Sequence, residues 1–181
     1  MSNTRLYTIN RDGSGLNQVG TAPVGHTFTE CDWTSNNNLT LVRLTGANSY
    51  SSQLFTMDLS GNYQQVVVGD VPGSTGGGVF SIDGNAALYT VDVSGFESPD
   101  GRQIDSHIFI RNLATSSVID LSVEKPAGTN DLDARFAPDG ASVIFVNTNN
   151  DGISKKSIWK VDLDGENRTL LFEDAEMPEW R

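Results

Sequence analysis

The sequence predicts an all-β protein, a β-propeller of about four blades, each a four-stranded antiparallel sheet. Two motifs, each an aromatic residue followed by a tight turn and an apolar stretch, alternate along the chain. Each motif recurs at intervals of 44–56 residues. Two hairpins per interval give four strands, and four-stranded units at about this period are the sequence signature of propeller blades.

The first motif places an aromatic residue three positions before a turn. It occurs in "DWTSNNNLTLV" from Asp32, "VFSIDGNAALY" from Val79 and "RFAPDGASVIF" from Arg135. In the last copy Pro138 presets φ for a type I turn, Asp139 can bond its local backbone, and Gly140 tolerates positive φ. We therefore predict a hairpin at each copy.

The second motif also predicts a hairpin, at the outer half of each blade. It occurs in "LYTINRDGSG" from Leu6, "LFTMDLSGNY" from Leu54, "IFIRNLATSS" from Ile108 and "IWKVDLDGEN" from Ile158. A polar residue follows each aromatic after three positions, namely Asn10, Asp58, Asn112 and Asp162. We expect these residues to cap the turns that follow them.

The two motifs divide the chain, which forms a single propeller domain over residues 1–181. We predict a half-blade at 5–22, blades at 26–69, 76–122 and 130–173, and a terminal inner strand at 176–181. Pairing of that strand with the half-blade would close the ring. The alternatives are a fragment of a larger propeller and a half-ring completed by a second copy, because unpaired blade edges favour a homodimer.

The third full blade carries a family resemblance. Its segments "FAPDGASVIFV" and "SIWKVDLDGENRTLL", followed by "MPEW", resemble the TolB-type propeller repeat, also called the WD-like repeat. The turns "TSNNN" and "SIDGN" depart from the family pattern. The resemblance implies a propeller fold. It leaves the function open, since such repeats occur in envelope proteins, in peptidase accessory domains and in a few lyases.

Composition restricts the partners. The chain has 23 acidic against 12 basic residues and a net charge of −11. This charge repels phosphate backbones and anionic membranes, so we expect neither nucleic-acid binding nor membrane insertion. With no signal peptide or long apolar segment, we expect a soluble protein, periplasmic or cell-envelope if the sequence is a trimmed form and otherwise cytoplasmic. The lone Cys31 is expected to be a buried thiol.

The sequence contains no recognisable catalytic motif. There is no G-x-S-x-G elbow. The two histidines would not be neighbours, because His26 precedes a predicted inner strand and His107 precedes a predicted third strand. The glycine-rich run 73–78 lacks the lysine of a phosphate-binding loop. "NTNNDGISKKSI" begins like a calcium loop but has Ile158 where a bidentate Glu is needed. We therefore predict no catalytic residue and no resident cofactor.

Acidic residues recur just before the aromatic residues of the first motif, on the predicted inner strands, which line the central channel. The ligand-binding candidates at the channel mouth are Glu30, Asp131, Asp133 and Glu176. Converging carboxylates would suit Ca²⁺, Mg²⁺ or a basic peptide. The alternative is local pairing, for instance of Asp133 with Arg135.

A long insertion, residues 92–107, separates two predicted strands and would project from one face. Loops of this length often carry binding residues, and Phe96, Glu97 and Arg102 are our candidates for partner contact. Together these features predict a non-enzymatic binding or scaffold propeller that recognises a protein or peptide partner at one face. The alternatives are a metal-dependent polysaccharide lyase or hydrolase, as the resemblance implies, and a truncated accessory domain of a larger enzyme.

Overall fold

The secondary structure consists of β-strands without a helix in the part of the chain that the computed structural model describes, residues 4–34, 39–45, 52–65, 75–96 and 103–179. The half-blade contains β1 (Arg5–Thr8) and β2 (Asn17–Thr21). Blade 1 contains β3 (Thr27–Trp33), β4 (Leu39–Thr45), β5 (Ser52–Asp58) and β6 (Tyr63–Gln65). Blade 2 contains β7 (Thr75–Phe80), β8 (Ala86–Asp92), β9 (Ser106–Asn112) and β10 (Val118–Asp120). Blade 3 contains β11 (Thr129–Phe136), β12 (Ser142–Asn149), β13 (Ser157–Asp162) and β14 (Thr169–Glu173).

Each blade is an antiparallel meander in which consecutive strands pair side by side. The predicted all-β fold of four-stranded antiparallel blades is confirmed. The hairpins between first and second strands and between third and fourth strands share one side of the molecule, which we call the turn face. The loops between second and third strands and the links between blades form the opposite side, the loop face.

The turns have the predicted chemistry. At 137–140 the backbone N–H of Gly140 donates to Ala137 O at 2.9 Å, and Gly140 has φ of 68°. Asp139 Oδ1 accepts from the N–H of Ala141 at 2.9 Å. In the outer hairpin of blade 1, Asp58 Oδ1 accepts from two backbone N–H groups at 2.9 Å. The carboxylates therefore cap the turns and stabilise them locally.

Apolar side chains fill the spaces between successive blades. The largest cluster lies between blades 2 and 3 and contains Leu88, Ile108, Ile110, Leu121, Ala134, Val143, Phe145 and Val161, all buried. A second cluster between blades 1 and 2 contains Leu54, Phe80, Ala87, Tyr89 and Val91. The second strands β8 and β12 are buried on both faces. In β8, Tyr89 belongs to the cluster with blade 1 and Leu88 to the cluster with blade 3, so this strand is packed between two neighbouring blades.

The half-blade packs on blade 1 through a smaller cluster. Val19 and Met57 are its buried members, and Leu6, Phe28 and Phe55 pack against them. The repeat alignment makes β1 and β2 the third and fourth strands of a blade. Within the described residues, β1 pairs only with β2.

The incomplete half-blade explains a wrong prediction. Cys31 was expected to be buried, but it is exposed. Trp33 on the same strand is 43% exposed, whereas Phe80, its counterpart in blade 2, is 7% exposed. The counterpart strands β7 and β11 pack against both the second and the third strand of the preceding blade, and no described strand holds the second position in the half-blade.

The segment after β14 follows a defined path without forming a strand. Residues 175–179 have no strand assignment, and residues 180 and 181 lie outside the described part of the chain. The N–H of Ala175 donates to Lys156 O at 3.0 Å. Closure of the ring by a terminal strand at 176–181 therefore stays a prediction.

Candidate functional site

A concavity of about 880 Å³ lies where the central channel opens at the turn face. We call it the turn-face cleft. Its walls are the ends of the three inner strands β3, β7 and β11, together with residues 177–179. The repeat architecture creates it, because every inner strand ends at this face and each following turn projects beyond the channel rim.

Apolar side chains stand exposed in this cleft. Ile82, in the turn after β7, is 67% exposed, and Met177 is 80% exposed. The turn that holds Ile82 is well ordered by hydrogen bonds, since Asp83 Oδ1 accepts from Ser81 Oγ at 2.6 Å and from Asn85 N at 3.0 Å. Pro138, in the turn after β11, contributes a further apolar surface to the cleft. Exposed apolar groups gathered in a concave site are typical of binding surfaces.

Acidic groups surround these apolar side chains. Asp32, Asp133 and Glu179 line the cleft, and Arg135 is the one basic residue among its lining residues. Asp32 Oδ2 accepts from the N–H of Phe80 at 2.9 Å, which joins blades 1 and 2 at the rim. Arg135 does not pair with Asp133 but donates from Nη1 to Ala134 O at 2.8 Å. The cleft is therefore acidic as well as apolar.

Of the four predicted channel residues, the structure describes the side chains of Asp131, Asp133 and Glu176, and it does not bring these three together. Asp133 lines the cleft, but Asp131 is fully buried. Glu176 forms an ion pair with Lys156 at 2.6 Å, and this contact raises the pKa of Lys156. Glu30 lies opposite Arg43 in the backbone register of β3 and β4, and its side chain lies outside the described part. Binding of a ligand, or of Ca²⁺ or Mg²⁺, by these residues stays a prediction.

A β-bulge separates Asp131 from Asp133. In a regular strand, residues two apart point to the same face. The register of β11 shifts between Leu132 and Arg135, and Asp133 has a positive φ of 52°. The bulge therefore directs Asp133 into the channel, while Asp131 lies inside blade 3. The sequence does not mark this bulge with a glycine.

Asp131 is bonded on all sides. Its carboxylate accepts from Ser122 Oγ and Asn147 Nδ2, both at 2.8 Å. Arg168 donates to the two carboxylate oxygens at 2.7 and 2.8 Å. The guanidinium carbon lies 4.7 Å from the ring centroid of Phe145 and 5.1 Å from that of Trp159. We call this group the Asp131 clasp. Its role is structural, because no solvent reaches the carboxylate.

The projecting loop is only partly described. Phe96 is exposed, and its N–H donates to Ser94 Oγ at 3.2 Å. Glu97 and Arg102 lie outside the described residues. Partner contact by these three residues stays a prediction.

The histidines lie in separate settings. His107 Nδ1 lies 2.8 Å from Asp120 Oδ2, and its Nε2 lies 3.6 Å from Asp105 Oδ1. His26 Nδ1 lies 3.3 Å from the carbonyl oxygen of Val24. Within the described residues, no three His, Cys, Asp or Glu side chains are grouped so that they could hold a metal ion. No described helix is long and apolar enough to cross a membrane.

Sequence reasoning missed the two most exposed apolar residues of the cleft. Ile82 stands in "SIDGN", at the position where the third full blade has Pro138. This departure from the repeat was the available signal. Met177 carries no such signal, because its place depends on how the segment after β14 crosses the channel mouth.

Solved structures share this architecture. A TolB-like protein from Agrobacterium tumefaciens superposes with a TM-score of 0.69 and 18% identity, over 92% of this chain and 56% of that one. This is a TolB-like β-propeller fold. TolB from Acinetobacter baumannii gives a TM-score of 0.61 and 21% identity, over 92% of this chain and 37% of that one. The chain thus spans between about a third and three fifths of these TolB structures.

An enzyme shares the fold as well. An oligogalacturonate lyase in complex with manganese gives a TM-score of 0.65 and 12% identity, over 97% of this chain and 48% of that one. No family model matches the sequence, and no curated protein matches it. The likeness to TolB-like and lyase propellers therefore identifies the architecture and leaves the function to be argued from the site.

Proposed function

We propose that this TolB-like propeller is a non-enzymatic binding protein that captures a segment of a partner protein in the turn-face cleft. The observation that carries the proposal is the exposure of Ile82 and Met177 within a cleft of about 880 Å³. Burying an apolar side chain of this size against a partner contributes about 1.5–3 kcal/mol. Two such contacts give the cleft a substantial source of affinity.

The charge of the cleft selects the partner. Three acidic residues against Arg135 leave the lining negative, and the net charge of the chain is −11. A segment with apolar residues flanked by Lys or Arg would be complementary, and its association would be faster at low salt.

Binding is better supported than catalysis. The described residues contain no metal-ligand cluster, and the two histidines have different neighbours. The neighbouring propellers include TolB proteins as well as a lyase, at identities that transfer the fold alone. The proposal of a non-enzymatic binding protein is therefore based on the exposed apolar and acidic residues of the cleft.

Selection of peptides on the protein tests this proposal. A phage library of random heptapeptides is selected on the immobilised chain, and the enriched peptides are synthesised and titrated by isothermal calorimetry. We expect enriched sequences that combine Lys or Arg with apolar residues. Their Kd should rise at least tenfold for the Ile82→Ser, Met177→Ser double variant, because two apolar contacts are lost.

The matched control is Val118→Ser. Val118 is an exposed apolar residue of the outer strand β10, and it does not line the cleft. This variant should bind the peptides like the wild type. Enriched peptides that bind the double variant as tightly as the wild type would refute the cleft as the binding site.

A further inference from the structure

A second concavity, which we call the loop-face pocket, opens at the loop face between blades 2 and 3. Its volume of about 410 Å³ is in the range of small-ligand sites. Its walls come from β7, β8, β11 and β12 and from the loops that follow β8 and β12. Blades 2 and 3 each have all four strands, so no strand of the repeat is missing from this place.

Amides and hydroxyls dominate the wall of the loop-face pocket. Four carboxamides line it, those of Gln103, Asn130, Asn149 and Asn150. Three hydroxyls join them, those of Thr90, Thr148 and Ser154. The charged lining residues are one acid, Asp133, and one base, Lys156, so the lining has no net charge. This wall therefore differs from the acidic and apolar lining of the turn-face cleft.

Two of the carboxamides are not used within the fold. In the described part of the chain, the side chains of Gln103 and Asn150 form no hydrogen bond with another residue. Gln103 Oε1 is even buried without a partner there, although buried polar atoms are nearly always hydrogen-bonded. By contrast, Asn112 Oδ1 accepts from two N–H groups of its own turn at 2.9 Å. Gln103 and Asn150 therefore keep donors and acceptors for a ligand.

The backbone around these two amides is held in place. Asn130 Nδ2 donates to the carbonyl oxygen of Gln103 at 3.0 Å, which joins the long loop of blade 2 to β11. The N–H of Asn150 donates to Gly128 O at 2.9 Å. In the same loop, Asp151 Oδ1 accepts from two backbone N–H groups at 3.0 and 2.8 Å. A wall that is already ordered lowers the entropic cost of binding a ligand.

The inner strand β7 leaves room for a close approach. Its register with β8 shifts between Gly76 and Gly78, and Gly77 has a positive φ of 44° at this bulge. A Cβ at Gly77 would meet nothing within 4 Å, so the space beside this lining residue is open. Glycine allows the backbone to come close to a ligand.

We propose that the loop-face pocket binds a neutral carbohydrate through these amides and hydroxyls. Sugar hydroxyls both donate and accept hydrogen bonds, as carboxamides and Ser or Thr hydroxyls do, so the two surfaces are complementary. An anionic ligand fits less well, because Lys156 is already paired with Glu176 at 2.6 Å and Asp133 stands in the wall. An apolar ligand would find Leu132 as the one large apolar residue of the lining, whereas sites for such ligands are mostly apolar.

This carbohydrate site is separate from the proposed partner-binding site. Asp133 is the one residue that lines both the loop-face pocket and the turn-face cleft. Ile82 and Met177, which carry the proposed function, do not line the loop-face pocket. The two proposals can therefore fail independently.

A sugar titration followed by heteronuclear NMR of the whole chain tests the proposal. D-glucose, D-galactose and N-acetyl-D-glucosamine are the probes, and the side-chain NH2 resonances of Gln103 and Asn150 are the readout. We expect saturable shifts of both resonances with at least one of these sugars. The Kd should be millimolar, because the lining offers hydrogen bonds but no aromatic ring for a sugar to pack on. Tighter binding of maltotriose than of D-glucose would identify a sugar chain as the source, and equal binding a free sugar.

Matched variants separate binding from folding. Gln103→Met with Asn150→Leu replaces both carboxamides by apolar side chains of similar shape. Because neither carboxamide bonds another described residue, Tm should stay within about 2 °C of the wild-type value. The Kd, measured through the backbone resonance of Gly77, should rise at least tenfold because the hydrogen bonds to the sugar are lost. The control is Asn17→Leu, which removes an exposed amide of β2 outside the pocket and should leave the Kd unchanged.

Three results would overturn the proposal. The first is a wild-type chain that shows no saturable shift with any of the neutral sugars. The second is a double variant that remains folded and binds the sugar as tightly as the wild type does. The third is D-glucuronate binding at least tenfold more tightly than D-glucose, since this would make the pocket an anion site. The Ile82→Ser, Met177→Ser variant should bind the sugar like the wild type, and a loss of binding there would contradict a separate site.

Discussion

The interface between blades 2 and 3 differs in kind from the interface between the half-blade and blade 1. The former combines eight buried apolar residues with the Asp131 clasp. The latter has two buried members, Val19 and Met57, with partly buried neighbours. In proteins built from repeats, stability is approximately a sum of repeat and interface contributions. We therefore expect the two interfaces to make very unequal contributions.

Polar contacts further strengthen the interface between blades 2 and 3 relative to that between the half-blade and blade 1. Ser122, on the link that leaves blade 2, donates to Asp131 of blade 3 and accepts from the N–H of Ile108 at 2.9 Å. Lys125 on the same link contacts Asp105 at 2.5 Å and Thr129 O at 2.7 Å. These bonds make blades 2 and 3 one unit. The half-blade would be the first element to open, because local stability follows buried contacts.

The largest effect is expected from Arg168→Met. This change leaves the Asp131 carboxylate buried without its ionic partner, and breaking a buried pair from one side costs about 3–5 kcal/mol. The free energy of unfolding, measured by urea denaturation, should fall by this amount. Asp131→Asn should be similarly destabilising, and the double variant should recover part of the loss because no uncompensated charge remains.

The control for this prediction is Lys155→Met. Lys155 pairs with Asp174 at the surface, where both side chains are exposed, and such pairs contribute little. The denaturation midpoint should not change. A similarly small change for Arg168→Met would show that the Asp131 clasp does not stabilise the blades.

A smaller loss of stability is expected from a Val→Ala substitution, which we compare at the two interfaces. Val161→Ala, in the cluster between blades 2 and 3, should cost about 2–3 kcal/mol of global stability. Val19→Ala should lower the global free energy of unfolding by less than Val161→Ala does. It should instead accelerate amide hydrogen exchange in β1 and β2, because the half-blade opens by itself. Equal global losses would contradict separate opening of the half-blade.

The repeat could be predicted from sequence because its signals are local. Turns such as 137–140 are specified within four residues by proline, aspartate and glycine, and their capping bonds form between near neighbours. Each prediction of a hairpin therefore needed no knowledge of the rest of the chain. The acidic channel was harder to predict, since it required the direction of each side chain around a bulge at Asp133.

The Asp131 clasp depends on contacts that sequence alone does not reveal. Arg168 precedes the fourth strand of blade 3, yet its guanidinium reaches the first strand, 37 positions earlier. Exposure of Cys31 likewise follows from the absence of a described strand beside β1. Both features depend on the tertiary arrangement, and the sequence around Asp131 or Cys31 contains no local signal for it.

The smallest effect is expected at the loops of the loop face, where Asp92 and Asp151 hold similar turns. Asp92 is buried and accepts from the N–H of Ser94 at 2.9 Å and of Ile104 at 2.7 Å, which closes the long loop of blade 2. Burial opposes ionisation, but these hydrogen bonds outweigh it and lower the pKa of Asp92 below 3.8. Exposed Asp151 has a pKa of about 2, because Ser154 and neighbouring N–H groups donate to it.

A lowered pKa in the folded state implies stability that is present above pH 3.8 and is lost as the pH falls below it. Asp92→Asn should therefore cost about 1–2 kcal/mol at pH 6, through weaker bonds to the two N–H groups. Its deficit relative to the wild type should shrink at pH 3, because the Asp92 carboxyl of the unfolded wild-type chain is then largely protonated and the charge no longer favours the folded state as strongly. Urea denaturation at the two pH values measures the free energy of unfolding of both proteins.

The control is Asp151→Asn, which changes an exposed group in the loop of blade 3. At pH 6 it should lower the free energy of unfolding by less than Asp92→Asn does. A deficit for Asp92→Asn that is the same at both pH values would mean that the charge of Asp92 does not stabilise the loop.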